Sequence, residues 1–595
     1  MVLTGIAGSA GVGVGPAIVL GPRRVTFVQR QVRSAELDGE IARFKQAVED
    51  AKAELTRLSR AAHTGVARAE VSILEAYTLM LGDELLAEAV ERNVRVERQC
   101  AEWAVSTAIT DFARTLALQE DAYLRERSHD FEFVGERLIL ALTGAHTARE
   151  LPPLVEPSVV IAHDLSPADL LSLDPKKILG IATEVGTKTS HTAIVSRALE
   201  IPAVMGAVGL VANVISGDRV VVDGLRGTVT LRPSEDIAQS GIVRGEKHLA
   251  LTRHLLSDAA RRCSLSSGEP IGIYANIEFA TEARTALEHG ADGIGLYRTE
   301  FLYGGRADLP SEEEQLEQFR RVLEVAGDRP VTLRTFDIGG DKPLGQLVPE
   351  REPNPALGLR AVRLGLRHPE VLLAQLRAMV RASAFGNLRV MVPMIATMRE
   401  WVDVKRLFHR AIAEIDAEGL PRAKQLPFGT MIEVPSAAVL SDVFAKEAEF
   451  LSVGTNDLVQ YTLAVDRTSP ALAHLASHFD PAVLRLLSLV VSSANAASRP
   501  VSVCGAMAGD PLAALLLVGL GYRSLSMEPS AIPEVKEALS RVTLAELVES
   551  ARDAKLHTTA DDVEHGLAVS FAPRLFDLLS GDEANAPPSL RADPP

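Results

Sequence analysis

The stretch Ile271-Gly272-Ile273-Tyr274-Ala275-Asn276 is the first of a series of short apolar segments separated by helical patterns. The later segments are Gly293–Tyr297, Val331–Phe336, Leu388–Pro393, Phe428–Glu433, Phe450–Val453, Val501–Cys504 and Ser524–Met527. Short apolar runs that alternate with helical patterns predict β-α units around a parallel sheet. About eight such units in roughly 300 residues are typical of a (β/α)₈ TIM-type barrel, which we predict over residues 263–575.

A different organisation precedes the barrel, so the predicted fold class is multi-domain α/β. Residues 1–20 and 145–232 carry short strands and helices, and we expect them to form one compact α/β domain. Between them, residues 21–144 have apolar side chains three and four positions apart, which predicts an inserted α-helical bundle. Residues 233–262 predict a linker helix, and we expect the Pro-rich end, residues 576–595, to be disordered.

The composition is that of an ordinary globular protein, with 47% apolar and 24% charged residues. The formal net charge of −16 argues against a nucleic-acid-binding surface. Three widely spaced cysteines predict neither a disulfide framework nor a zinc site, and no apolar run reaches transmembrane length. The apolar N-terminus lacks the basic flank of a signal peptide. We therefore expect a cytoplasmic enzyme that binds neither nucleic acid nor membrane.

One histidine stands out in the α/β domain, in the stretch Lys188-Thr189-Ser190-His191-Thr192-Ala193-Ile194. Hydroxyl residues before His191 and an apolar pattern after it predict a helix that begins at or just after the histidine. Backbone N–H groups at a helix start favour a phosphate, and neutral imidazole is a good nucleophile. His191 is therefore a candidate phosphoryl carrier. The open alternative is an ordinary histidine in the first turn of a capped helix.

Polar residues follow several predicted barrel strands, where the active sites of such barrels lie. Arg298 follows the second strand, Arg334 lies in the third, Glu433 ends the fifth, and Asn456 and Asp457 follow the sixth. Converging guanidinium groups can clamp a ligand that carries phosphate and carboxylate, and two carboxylates can hold Mg²⁺. Such a site stabilises charge on a phosphoryl group in transfer. Further candidates are Lys342, Arg360, Arg467 and Cys504.

The roles of Cys504 and of the acidic residues in the helical block stay open at this point. Cys504, at the end of the seventh strand, is either a small core residue or a proton donor, and its residue type alone favours the core. The acidic residues of the helical block are either a solvated face or a docking surface for a protein partner. They include Glu70, Glu75, Asp83 and Glu84.

Together, these motifs resemble the enzyme I family of the bacterial phosphoenolpyruvate:sugar phosphotransferase system over almost the whole chain. Residues 189–194, with 201–204, are similar to the phosphohistidine signature of that family. Residues 334–342, 454–458 and 504–510 are similar to its barrel signatures. The inserted helical block resembles the family's docking domain for the small carrier protein HPr.

The resemblance implies that His191 accepts the phosphoryl group of phosphoenolpyruvate and passes it to a histidine of HPr. It also implies that Cys504 protonates the enolate as pyruvate forms, and that Glu433 and Asp457 hold Mg²⁺. A homodimer through the barrel and a swinging His191 domain are expected for the family. The residues expected to bind the substrate are Arg298, Arg334, Asn456, Asp457, Arg467, Arg360 and Lys342.

The chain departs from the usual family pattern at Ala10, Tyr77, Thr187 and Ala506. Ala506 replaces a glutamate after Cys-Gly, and Thr187 replaces a glycine, which restricts the loop before His191. Two alternatives for the function stay open. One is a relative of pyruvate-phosphate dikinase or phosphoenolpyruvate synthase, which needs an ATP-binding domain ahead of the histidine. The other is a family member that binds HPr or metabolites without turnover.

Overall fold

The structure is a computed structural model of the 595-residue chain. It describes every residue except 21–26, 63–76, 79, 83, 118–121, 145–155, 166–168, 171–172, 187–189, 200, 304–308, 340–353, 467–471, 473–474 and 580–595. The chain forms two compact units, Met1–Leu251 and Thr252–Pro595.

The first unit contains one eight-stranded sheet with the order β1-β8-β7-β3-β4-β5-β6-β2. Its strands are Val2–Thr4 (β1), Ile6–Ser9 (β2), Val12–Leu20 (β3), Ser158–Ala162 (β4), Ile178–Thr183 (β5), Ala203–Met205 (β6), Arg219–Asp223 (β7) and Thr228–Leu231 (β8). Strands β3 and β4 are parallel neighbours, although more than 130 residues separate them along the chain. The chain therefore leaves the sheet after β3, forms the helical block, and returns beside the strand it left.

The helical block forms its own apolar core, to which Phe44, Leu86 and Leu138 contribute. Tyr77, one of the departures from the family pattern, is buried there with its ring centroid 4.6 Å from that of Phe133. The α-helices with described bounds in the first unit are Leu37–Ala62, Glu84–Arg95, Ala101–Ala117, Ala122–Thr143, His191–Ala198, Leu210–Asn213 and Glu235–Ser257, the last of which continues into the second unit.

The second unit contains the predicted closed barrel of eight parallel strands. They are Gly272–Ile277 (β9), Ile294–Tyr297 (β10), Val331–Arg334 (β11), Leu388–Val392 (β12), Phe428–Ile432 (β13), Leu451–Val453 (β14), Val501–Val503 (β15) and Ser524–Met527 (β16). Strand β16 pairs with β9, which closes the barrel. Each strand is short and apolar, as expected for strands covered by an outer ring of helices.

Several barrel helices begin at capping boxes, in which a hydroxyl residue and a glutamate three positions later satisfy the first backbone N–H groups. The α-helices are Glu282–Glu288, Glu312–Ala326, Ala361–Arg367, Pro369–Ala382, Met398–Ala417, Pro435–Val439, Ser441–Glu447, Thr455–Leu463, Pro481–Ala496, Pro511–Leu520, Ile532–Ser540, Leu544–Ala554 and Ala560–Leu579. The last helix corrects the predicted tail, because residues 576–579 are helical, whereas residues 580–595 lie outside the described residues. Among the described helices, none has both the length and the apolar character needed to cross a bilayer.

Candidate active site

Predicted site residues lie at one mouth of the barrel, at the carboxyl ends of strands β10, β11, β13 and β14. Arg298 follows β10, Arg334 ends β11, Glu433 follows β13, and Asn456 and Asp457 lie in the first turn of the helix after β14. Parallel strands all end on the same side of a barrel, so residues far apart in sequence meet there.

Arg334 is 8% exposed and lies between carboxylates. Its Nη2 donates to Glu300 Oε1 at 2.6 Å, and its Nη1 lies 3.7 Å from Asp337 Oδ2. Burial by itself lowers the pKa of Arg334, but Glu300, Asp337 and Glu433 outweigh burial and hold the pKa above its ordinary value. Arg334 therefore keeps its positive charge inside the mouth.

Arg360 forms a bidentate pair with Asp337, to which its Nε and Nη2 donate at 3.1 and 2.9 Å. Its Nη1 donates to Tyr461 Oη at 3.2 Å and lies 3.9 Å from Asp457 Oδ1. Since Asp337 contacts both Arg360 and Arg334, it holds two guanidinium groups close together. Two adjacent guanidinium groups suit a phosphate with several oxygens.

Arg298 is less enclosed than these two arginines, with 31% of its side chain exposed. Its Nη1 donates to Glu278 Oε1 at 2.6 Å. A partly exposed ion pair of this kind contributes about 1 kcal/mol or less, so an anionic ligand can compete for the guanidinium group. Arg298 is therefore available to a ligand at the rim of the mouth.

Glu433 is buried, and its Oε1 accepts the backbone N–H of Met394 at 2.6 Å. Burial and the neighbouring Asp457 raise the pKa of Glu433 to about 8, although Arg334 opposes the shift. A Cβ on residue 454 would lie 2.7 Å from Glu433 Oε2. Gly454 is therefore the residue that leaves room for this carboxylate.

Glu433 and Asp457 fit a hard divalent cation. Asp457 is 6% exposed, and its buried Oδ1 makes no hydrogen bond within the described part of the chain. Two buried carboxylates, one with an unsatisfied oxygen and the other with a raised pKa, form a site that added positive charge would stabilise. The described residues contain no cluster of three His, Cys, Asp or Glu side chains that could hold a metal. A site with two carboxylates matches Mg²⁺, which completes its coordination with water and substrate oxygens.

Asn456 and Asn276 fix the chain around Cys504. The Oδ1 of Asn456 accepts the backbone N–H of Ala506 at 2.8 Å, and the Nδ2 of Asn276 donates to the Cys504 carbonyl at 3.0 Å. The alanine at position 506 therefore takes part in the site through its backbone. Both contacts position the sulfur at the end of β15.

Cys504 is 2% exposed and belongs to a small apolar cluster inside the barrel. The other members are Leu296, Met391, Met431 and Phe450. Burial raises the pKa of the Cys504 thiol to about 11, although a hydrogen bond with Ser452 opposes the shift. The sulfur therefore keeps its proton at neutral pH, so a core position and a proton-donating role are compatible.

Some supporting residues were not identified by sequence analysis. Gln375 donates from Nε2 to Thr299 Oγ1 at 3.1 Å, and its Oε1 accepts the Phe336 N–H at 2.8 Å. Thr299 in turn donates to the Arg334 carbonyl at 2.9 Å. Gln375 lies within a helix and has no local sequence signal for this role. Glu300, the direct partner of Arg334, belongs to the stretch 297–300 that the sequence pattern placed at the mouth, although it was given no role there.

In the first unit, His191 is the first residue of the helix His191–Ala198, as the sequence predicted. The Thr192 hydroxyl donates to the Leu165 carbonyl at 2.6 Å, which anchors the first turn to the segment after β4. Gly186, just ahead, has φ +113°, a conformation that favours glycine. The helix start therefore offers backbone N–H groups next to His191.

The remaining predicted positions lie outside the described residues. They are Lys342, Arg467, the loop residue Thr187 and the acidic residues Glu70, Glu75 and Asp83. Asn354 and Arg360, on the segment after β11, are described. The described mouth combines guanidinium groups, several acidic side chains and a protonated thiol, which together can bind an anion and transfer a proton to it.

Three family models match the chain and together cover most of its length. "PEP-utilising enzyme, N-terminal" matches residues 4–127, and "PEP-utilising enzyme, mobile domain" matches residues 154–227. "PEP-utilising enzyme, PEP-binding domain" matches residues 256–544, which include the barrel mouth.

Similar proteins extend over nearly the entire chain. The phosphoenolpyruvate-protein phosphotransferase of Staphylococcus carnosus (strain TM300) is 37% identical over 562 residues, which are 94% of this chain and 97% of that protein. Proteins of the same name from Bacillus sp. (strain S) and Geobacillus stearothermophilus are each 38% identical over 578 residues, or 96% of this chain and 98% of theirs.

Proposed function

Since this chain belongs to the phosphoenolpyruvate-protein phosphotransferase family of PEP-utilising enzymes, we propose that His191 is its phosphoryl carrier. In this reaction His191 takes the phosphoryl group of phosphoenolpyruvate and passes it to a histidine of HPr. The observation that carries the proposal is the barrel mouth, where buried Arg334 and half-buried Arg360 share Asp337 beside two more carboxylates, those of Glu300 and Asp457. That arrangement suits an anionic substrate that carries both phosphate and carboxylate.

Arg334 and Arg360 bind the phosphate of the substrate, and Arg298 binds at the rim. The network holds their charges in place before the substrate arrives, so little reorganisation is needed during the reaction. Asn456 positions the loop after Cys504 and offers its amide to the ligand. Arg467 and Lys342 complete the proposed set of substrate-binding residues.

Glu433 and Asp457 would hold Mg²⁺ together with substrate oxygens. The ion supplies positive charge that stabilises the phosphoryl group in transfer. Without a cation the raised pKa of Glu433 favours its protonated form, so loading the site releases that proton.

The phosphoryl transfer breaks the bond between phosphorus and the enol oxygen and forms a bond from phosphorus to a nitrogen of His191. The enolate that remains takes the thiol proton of Cys504 at its methylene carbon and becomes pyruvate. The raised pKa of Cys504 ensures that the thiol carries this proton when the substrate binds. The thiolate then regains a proton from solvent, which restores the enzyme.

The helical block is the proposed docking surface for HPr. The family resemblance places Met80 and Leu81 at the dock. Leu81 is buried in the core of the block, so it would support the docking surface from beneath and would not contact HPr. We further propose a homodimer through the barrel. This proposal rests on the family resemblance.

The test is pyruvate formation from phosphoenolpyruvate with Mg²⁺ and HPr. We expect turnover that requires HPr, and a variant His191→Ala that is folded but inactive. If the folded wild-type protein forms no pyruvate, the remaining hypothesis is a family member that binds HPr or metabolites without turnover. Phosphorylation from ATP in place of phosphoenolpyruvate would favour the dikinase group. The mass of the protein in solution, measured by light scattering, tests the homodimer separately.

A further inference from the structure

A second polar site lies inside the barrel, at the amino ends of the strands, and it extends to Ser452, whose side chain hydrogen-bonds Cys504. It is a cavity of about 50 Å³ within the second unit. One cation, Arg389, and six hydroxyl residues line it, and none of its lining residues is acidic. The hydroxyl residues are Tyr274, Thr332, Ser452, Ser502, Ser524 and Ser526.

This lining is unusual for the inside of a TIM-type barrel. The interior of such barrels is ordinarily a packed core dominated by Val, Ile and Leu. Here hydroxyl groups take those places, and the space between them is not filled by side chains. A water molecule needs about 10–15 Å³ of cavity, so this one holds a few waters or one ion of comparable size.

Arg389 has no carboxylate partner among the described residues, in contrast to the arginines at the carboxyl ends of the strands. It lies in β12, directly beside Thr332 of β11 in the parallel ladder. Within the described part of the chain its guanidinium group forms neither a salt bridge nor a hydrogen bond, whereas Arg334, Arg360 and Arg298 are all paired. Arg389 is half-buried, so water in the cavity can solvate its charge. A bound anion would replace that water and pair with the guanidinium group.

Several hydroxyl groups around Arg389 are also available to a ligand. The Oγ of Ser502 donates to Ser452 Oγ at 3.0 Å, and the Oγ of Ser526 donates to Asn276 Oδ1 at 2.6 Å. The hydroxyls of Tyr274, Thr332 and Ser524 make no hydrogen bond to described residues. Hydroxyl donors beside one guanidinium group, in a cavity without an acidic lining residue, suit an acceptor-rich anion.

We propose that this cavity binds a small inorganic oxyanion of the size of phosphate. Arg389 supplies the charge, and the hydroxyls of Tyr274, Thr332 and Ser524 donate to the remaining oxygens. The cavity selects for negative charge, because its lining offers one guanidinium group and several hydroxyl donors and no acidic residue. This inference does not depend on the phosphotransfer reaction proposed above.

The test is calorimetric titration of inorganic phosphate into the full chain at constant ionic strength without Mg²⁺. The mouth at the carboxyl ends also carries arginines, so each titration is repeated in an Arg334→Met background. Arg389→Met should weaken phosphate binding at least about tenfold, because it removes hydrogen bonds to a charged group. The matched control Arg329→Met, at an exposed arginine beside the cavity residue Pro330, should leave the affinity unchanged.

A second variant keeps the inference testable if Arg389→Met folds poorly. Thr332→Glu places a carboxylate next to Arg389, and we expect this internal partner to abolish phosphate binding. Crystals soaked in selenate should show an anomalous peak at the guanidinium group of Arg389 in the wild type. The proposal is overturned if water alone fills the cavity, if selenate binds only at soaking concentrations, or if both variants bind phosphate as the wild type does.

Discussion

The two ends of the barrel treat positive charge in opposite ways. At the carboxyl ends, Arg334 and Arg360 lie within a network of carboxylates. At the amino ends, Arg389 faces hydroxyl groups and no carboxylate among the described residues. A small apolar cluster that includes Met391 and Phe450 lies inside the same barrel. Arg389 and Met391 lie two positions apart on β12, so one strand contributes to both kinds of surroundings.

The comparison teaches how a network prepares an arginine for its ligand. Carboxylate partners hold Arg334 and Arg360 in fixed positions and compensate their charges until a substrate competes for them. An arginine without such partners depends on water or on a bound anion. An arginine paired with carboxylates suits a substrate that must dissociate after each turnover. An arginine without such partners suits an anion that remains bound in the cavity. The two ends can therefore be perturbed separately, in the order of effect that follows.

Arg334→Met should have the largest effect on turnover, a loss of about 10³-fold in kcat/KM, because it removes a group that stabilises the transferring phosphoryl group. Pyruvate release under steady-state conditions measures it. Arg334→Lys keeps the charge but loses the planar fork, so it should fall between wild type and Arg334→Met. A loss of less than tenfold in the folded Met variant would remove Arg334 from the proposed site.

Glu433→Gln should lower turnover by about 10²-fold and raise the Mg²⁺ concentration needed for half-maximal rate. The amide keeps the shape of the side chain but provides a weaker ligand for a hard cation. A titration of activity against Mg²⁺ measures both effects. Glu447→Gln, at an exposed surface position, serves as the control. An unchanged Mg²⁺ requirement in Glu433→Gln would argue against the proposed metal ligands.

The raised pKa of Glu433 predicts how the stability of the metal-free protein depends on pH. The carboxyl group of Glu433 binds its proton more tightly in the folded protein than in the unfolded chain. Its contribution to the free energy of unfolding is therefore complete below the unfolded pKa of about 4.3. That contribution is lost as the pH rises toward 8, by at most about 1.4 kcal/mol per pH unit. Denaturant unfolding at several pH values measures the slope. Glu433→Gln should flatten it, and equal slopes in both proteins would contradict the prediction.

Arg389→Met should have the smallest effect on turnover, within about twofold of wild type, because Arg389 forms no hydrogen bond or ion pair with a described residue of the mouth. Steady-state pyruvate release at saturating substrate is again the measurement. A loss comparable to that of Arg334→Met would show that the two ends are not independent. The comparison between them would then fail.

The barrel and the positions of its site residues could be predicted because their signals are local. An apolar run followed by polar residues marks a strand end, and hydroxyl residues before an apolar pattern mark the start of the helix at His191. The resemblance then assigned roles to those positions. Family membership and the fold are confirmed, whereas the roles of individual residues stay predictions.

The pairings inside the barrel could not be predicted, because they join distant parts of the chain. Arg334 and Glu300 are 34 residues apart, and Gln375 and Thr299 are 76 apart. Nothing near Gln375 or Arg389 in the sequence indicates what either side chain contacts. The cavity at Arg389 depends on residues from several strands, so only the closed barrel reveals it.

The central claim is that the barrel mouth delivers a phosphoryl group to His191. A single-turnover experiment with radiolabelled phosphoenolpyruvate and Mg²⁺, followed by peptide mapping under conditions that preserve phosphohistidine, tests it most directly. We predict label on the peptide that contains His191 in the wild type, none in His191→Ala, and strongly slowed labelling in Arg334→Met. Label on another residue, or labelling of Arg334→Met at the wild-type rate, would contradict the account.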